Sequence, residues 1–122
     1  MEIESYRDLR GWQAGMELAK SRYALTSSFP KVAMLGMVCQ IRRAATSIPA
    51  NIAEGNGREH TKGYIQFLRI AQGSSKELET HLMLLKEVSI STPEAVSPLL
   101  SQADDVGRML RALIRALQAR LE

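Results

Sequence analysis

A chain of 122 residues with 45% apolar but only 5% aromatic content fits one domain over residues 1–122, with a core built from Leu, Ala, Ile and Met. Such a composition favours helices over a sheet, and a net charge of +3 falls short of a histone-like protein. The single Cys39 excludes an internal disulfide; with no basic-apolar-small leader it predicts a cytoplasmic protein, and no apolar run approaches the ~20 residues of a membrane span.

The first helix is predicted from about Tyr6 to Ser27. Leu9, Trp12, Met16, Ala19, Tyr23 and Thr26 recur at spacings of three and four, which line one helix face. Ser5 or Asp8 is the candidate cap. Ser27, Ser28 and Phe29-Pro30 end the pattern, because the residue before a proline is pushed out of the α region.

The second helix begins near Val32 and reaches about Glu54, with Leu35, Val38, Ile41, Ala45, Ile48 and Ile52 as its stripe. Pro49 lies inside it and removes one backbone hydrogen bond, which predicts a kink or a local split. Gly55, Asn56 and Gly57 are the expected stop.

The third pattern is Tyr64, Leu68, Ala71, Ser75, Leu78, Leu82 and Leu85, with Thr61 as N-cap. Gly73 with Ala71, Ser74 and Ser75 forms a run of small residues, read as a tight helix crossing. Ser91-Thr92-Pro93-Glu94 opens the fourth helix, with Thr92 as N-cap and Pro93 at the first helical position. Val96, Leu99, Ala103, Val106, Leu110, Leu113 and Leu117 are its stripe. Pro98 is expected to delay regular structure until Leu99. Four amphipathic helices with short connections predict an all-α, antiparallel up-down-up-down four-helix bundle.

The stripes are wider than one buried face requires. Met34, Met37, Ala44, Ala53, Ile65, Phe67, Ile70, Leu100, Ile114 and Leu121 add to them. This surplus predicts either a broad core or a patch buried between copies; a homo-oligomer is the favoured reading.

Catalytic chemistry finds no foothold. A nucleophile needs a base within reach. His60 lies in a polar loop, His81 among exposed helix positions, and Cys39 in an apolar stretch where it is expected to pack as a small hydrophobe. Glu77, Glu79 and His81 are spread around a helix, and no Glu-x-x-His pair occurs, so neither a metal nor a cofactor is expected. Gly55-Asn56-Gly57-Arg58 lacks the strand and the Lys-Ser/Thr pair of a phosphate loop. Glu54 is read as a partly buried carboxylate paired with an arginine. The expectation is a protein that is not an enzyme.

The charge is arranged for binding. Lys62, Arg69 and Lys76 are seven apart and lie on one line. Arg42 and Arg43 form a pair on the second helix, Arg58 sits at the connection, and Arg108, Arg111 and Arg115 share a face of the fourth. Such stripes suit phosphates; the competing reading is a solvated face diluted by Glu77, Glu79 and Glu87.

The segment Gln40-Ile-Arg-Arg-Ala-Ala-Thr-Ser-Ile-Pro-Ala-Asn-Ile-Ala-Glu-Gly-Asn-Gly-Arg58, followed by Phe67-Leu-Arg-Ile-Ala-Gln-Gly-Ser-Ser-Lys-Glu-Leu-Glu79, resembles a bacterial family. Its members are four-helix bundles first noted as open reading frames within intervening sequences of the large ribosomal RNA. The likeness takes in Leu9, Trp12, Gln13, Ala14 and Phe29-Pro30 and covers about residues 6 to 88; the fourth helix matches only in pattern.

The resemblance implies a ring-shaped homopentamer. A relative, the accessory variability determinant of diversity-generating retroelements, binds a reverse transcriptase and nucleic acid through a basic surface. The motif positions carried over are Gln40, Arg42, Arg43, Pro49, Asn51, Glu54, Gly55 and Arg58. Two functions are therefore expected: binding of structured RNA, DNA or a nucleic-acid enzyme through Arg42, Arg43, Arg58, Lys62, Arg69 and Lys76, or a protein-interaction scaffold with no nucleic-acid role.

Overall fold

A computed structural model describes residues 5–26 and 35–121. Helix α1 spans Arg10–Thr26, α2 Leu35–Asn56, α3 Thr61–Glu87 and α4 Pro93–Leu121, with a short 3-10 turn at Tyr6–Asp8 before α1. The predicted stop at Ser27–Pro30, the start near Val32 and Met34 lie outside the described residues.

Contacts across the seams fix the directions. Arg22 and Gly15 of α1 meet Thr46 and Ile48 of α2. Arg43, Ser47 and Asn56 of α2 meet Glu77, Ser74 and Tyr64 of α3. In both seams one partner's number rises as the other's falls, so the helices are antiparallel. Each helix packs on two neighbours, and α4 closes the bundle against α1. Ile41, Ala45, Ile48, Ile52, Leu68, Leu78, Leu82, Leu110 and Val106 are among the core side chains between them.

The stripes of the last three helices are buried nearly as predicted. α1 differs. Its buried face runs through Gly15, Leu18, Ala19, Arg22 and Thr26, while Met16 and Tyr23 are exposed. α1 comes close to α2 at Gly15, where a Cβ would meet Ile48 Cγ2 at 3.3 Å and Pro49 at 3.4 Å.

Several local expectations need correcting. Of the kink or split expected at Pro49, the split does not occur; the helix runs on to Asn56 with Pro49 buried against Gly15. Asn51 reinforces this stretch by donating its side-chain amide to the Ser47 carbonyl and hydroxyl, both at 2.8 Å. α2 does end within the expected Gly55-Asn56-Gly57 stop, at Asn56, but Gly55 itself is helical and adopts no left-handed conformation. It lies where α3 crosses, and a Cβ there would fall 2.7 Å from Phe67 Cβ and 3.0 Å from Tyr64 Cδ1.

Gly73, by contrast, faces open space. The close crossings near it are made by serines: Ser74 Oγ lies 2.7 Å from Ser47 Oγ, and Ser75 Oγ donates to the Ala103 carbonyl. The N-cap of α3 is His60, one residue before the predicted Thr61; its Nδ1 accepts from the Gly63 N–H.

Ser5 caps the short 3-10 turn in a capping box with Asp8, rather than α1 itself. Thr92 caps α4 as expected, accepting from the Ala95 N–H. α4 is already regular at Pro93 and continues through Pro98. Pro98 is exposed, so the carbonyl it leaves unpaired is open to water.

Much of the apolar surplus enters the core: Ala44, Ile65 and Ile114 are buried. Ile70 and Leu121 stay exposed, as do Met83, Leu84 and Val88. No helix of the described residues is long and apolar enough to cross a membrane.

Candidate nucleic-acid interface

The outer face of α3 is fixed by its buried one. With Leu68, Ala71, Ser75, Leu78 and Leu82 turned inward, the 3.6-residue period carries Lys62, Arg69 and Lys76 outward. All three are exposed. Lys76 donates to Glu79 at 3.3 Å. Lys62 and Arg69 form no ion pair among the described residues. Gly73, between Arg69 and Lys76, is exposed with nothing near its absent side chain. The face is therefore basic, and low at its middle.

The arginines of the Gln40–Arg58 string are divided by the structure. Arg43 is exposed and bonded to Gln40 Oε1 on its own helix and to Glu77 across the seam. Glu77 also contacts His81 Nε2 at 3.3 Å, so its charge is shared. His81 is only half-exposed, contrary to expectation. Arg58 pairs with Glu54 at 3.3 Å and lies over the Phe67 ring, 4.6 Å from its centroid. Glu54 is thus paired with an arginine as expected, Arg58, but is exposed rather than partly buried. Exposed pairs of this kind contribute about 0–1 kcal/mol and leave the cations available.

Arg42 belongs elsewhere. It is half-buried on the α1–α2 seam, where Nε donates to Thr26 Oγ1 at 3.1 Å and its guanidinium lies 4.6 Å from the Tyr23 ring centroid. Arg22 lies against the same ring at 3.8 Å and is fully buried. Burial lowers its affinity for its proton, Tyr23 partly offsets this, and Arg42 adds a like charge. The Arg22 position was missed in the sequence because an arginine in an apolar pattern reads as a solvated residue.

The remaining surfaces offer little chemistry. A cleft of about 570 Å³ opens between α1 and α4, lined by Leu9, Gly11, Gln13, Met109 and Leu113 among others. Cys39 is exposed rather than packed as a small hydrophobe. Among the described residues no three His, Cys, Asp or Glu side chains are placed to hold a metal ion. The backbone N–H groups of Gly57 and Arg58 bond to carbonyls of Ala53, Glu54 and Gly55, so this turn is occupied by its own helix end.

These features define an all-α four-helix bundle with a basic outer helix. The chain belongs to the 23S rRNA-intervening sequence protein family, whose model matches residues 7–112. The match reaches well into α4, beyond the stretch legible from the motifs. The fold is also similar to a crystal structure from Bacteroides thetaiotaomicron VPI-5482, described as a protein of unknown function from the S23 ribosomal protein family. The two share 25% identity with a TM-score of 0.78, over 85% of this chain and 97% of that one. No curated protein matches the sequence.

Proposed function

We propose that this protein is a cytoplasmic, non-enzymatic, oligomeric bundle that binds structured RNA through the outer face of α3. The observation that carries this reading is the line Lys62–Arg69–Lys76, exposed and nearly free of acidic partners, with Gly73 leaving its middle open. A row of cations beside a low surface admits a phosphate backbone closely. Arg58 and Arg43 flank the row and reach phosphates by exchanging Glu54 and Glu77 for them. The family name supports an RNA context.

In this reading copies assembled in a ring repeat the basic face and raise its effective concentration. Exposed Ile70 and Leu84 fall on one side of α3, with exposed Val88 at its C-cap, and their burial between copies would account for them. Five subunits is the number that the family resemblance implies. Those apolar residues also favour the second reading, a protein-interaction scaffold whose partner covers them.

Fluorescence titration with a structured RNA at low and physiological salt tests the proposal. Saturable binding that weakens with salt is expected. Reversing Lys62, Arg69 and Lys76 to Glu should abolish it while the helical circular dichroism is retained. Each lost phosphate contact should lower the salt slope by about one. Unchanged affinity in the triple variant would discard the α3 face, and absence of binding at low salt would leave the scaffold reading.

A further inference from the structure

On the α1–α2 seam, away from the outer face of α3, lies a group of cations that the RNA reading does not use. Arg22 is fully buried. Its Nη2 donates to Thr46 Oγ1 at 3.1 Å, but Nε and Nη1 have no acceptor among the described residues. A guanidinium carries five N–H donors and no means of losing its charge at neutral pH. A buried charge is ordinarily paired, since desolvation penalises it heavily otherwise. Arg22 forms no ion pair among the described residues.

The neighbours add charge instead of cancelling it. Arg42 comes in from α2 to the same Tyr23 ring and likewise forms no ion pair among the described residues. Its Nε is held by Thr26 Oγ1, whose own hydroxyl donates to the Arg22 carbonyl at 3.0 Å. Two guanidiniums are thus gathered by one ring and two threonines. Tyr23 is 50% exposed, and its ring centroid lies 3.8 Å from the Arg22 guanidinium carbon. Cation–π contact with one ring does not supply the missing acceptors.

We infer that the Arg22–Arg42 cluster is a phosphate-binding site. A phosphate group matches it better than a carboxylate. Two cations call for up to two negative charges, and the unmet donors of Arg22, the outer donors of Arg42 and the Thr46 hydroxyl call for several acceptor oxygens. The phosphate comes either from a free anion or from a nucleic-acid backbone; both present the same oxygens.

Thermal unfolding distinguishes these. Inorganic phosphate is titrated at constant ionic strength against chloride, and a short single-stranded oligonucleotide without terminal phosphates is titrated in parallel. A ligand that binds only the native state raises Tm in a saturable way. The expected result is such a rise with at least one probe, weakened tenfold or more in apparent affinity by Arg42→Met and by Arg22→Met. Arg42→Met is the decisive variant, because Arg42 is only half-buried and its loss leaves the core intact.

A rise with phosphate identifies a free anion as sufficient, and a rise with the oligonucleotide alone identifies the phosphodiester. No rise with either probe overturns the site. So does an undiminished rise in Arg42→Met, or an oligonucleotide effect that disappears in Lys62→Glu/Arg69→Glu but persists in Arg42→Met. That last outcome would return the binding to α3, so failure here and failure of the RNA reading are separable.

Discussion

Tyr64 shows how one side chain couples the bundle to pH. It sits where the end of α2 meets the start of α3, and its hydroxyl accepts a long hydrogen bond from the Asn56 amide at 3.5 Å. Burial raises its pKa above the ordinary 10.0, with Asn56 opposing the shift. A phenol whose folded pKa is raised contributes stability that is complete below the unfolded value and lost as pH rises through the folded one. Wild-type protein should therefore lose stability above pH ~10. Tyr64→Phe should lose less over that range, as read by urea midpoints at pH 8, 10 and 11. An identical alkaline loss in the variant would place the sensitive group elsewhere.

Residues were also where the sequence was hardest to read. Most Leu, Ile and Val positions announced themselves by period: Ile41, Ile48 and Ile52 of α2, the leucines of the α3 stripe and Val96, Leu99, Val106, Leu110 and Leu117 of α4 are buried as read, whereas Val38 and Leu113 are partly buried. Arg22 did not announce itself; it is buried on the face of α1 that comes close to α2 at Gly15. Cys39 erred in the opposite direction: an apolar neighbourhood in sequence is an exposed position on the helix.

Helices tell a similar story about glycine. Gly55 and Gly73 are both helical, and sequence assigned the first to a stop and the second to a crossing. The packing moves the crossing from the second to the first: Gly55 is pressed against Phe67 and Tyr64, and Gly73 is open in mid-helix. The distinction depends on which helix passes overhead, which no local pattern carries. Gly73→Ala should stabilise the protein by roughly 0.5–1 kcal/mol, since alanine lowers the conformational cost and meets nothing. Gly55→Ala should destabilise it, because overpacking of about 1–3 kcal/mol outweighs the same helical gain. Chemical denaturation of the two variants measures both signs, and stabilisation by Gly55→Ala would contradict the close α2–α3 approach.

Helix ends were more legible than helix packing. Thr92-Pro93 begins α4 as its chemistry demands, with a side-chain acceptor followed by a residue that needs no donor. The error at α3 is one residue, because the His60 ring nitrogen performs the task expected of the Thr61 hydroxyl.

For the molecule as a whole, the unresolved economy is its apolar surface. The core takes in much of the surplus, yet Ile70, Leu84 and Val88 remain 46%, 44% and 51% exposed on α3 and its C-cap. Burial between copies is the proposed reason. Leu84→Glu/Val88→Glu should then convert the assembly to a smaller species in sedimentation velocity while helical content stays unchanged. An unaltered sedimentation coefficient would remove these residues from any contact between subunits. This surface and the basic one were unequally legible: the basic line follows from spacing alone, whereas the exposed apolar side required knowing how much the core consumes.

The bundle closes as a ring of four seams, three of them between helices that follow one another in the chain. The α1–α4 seam is the exception, and it is also where the cleft by Leu9, Gly11 and Met109 lies. Contacts close in sequence cost little chain entropy to form, and those between distant segments cost more. The α1–α4 seam, which joins the two most distant helices of the chain, therefore carries the largest loop-closure cost of the four.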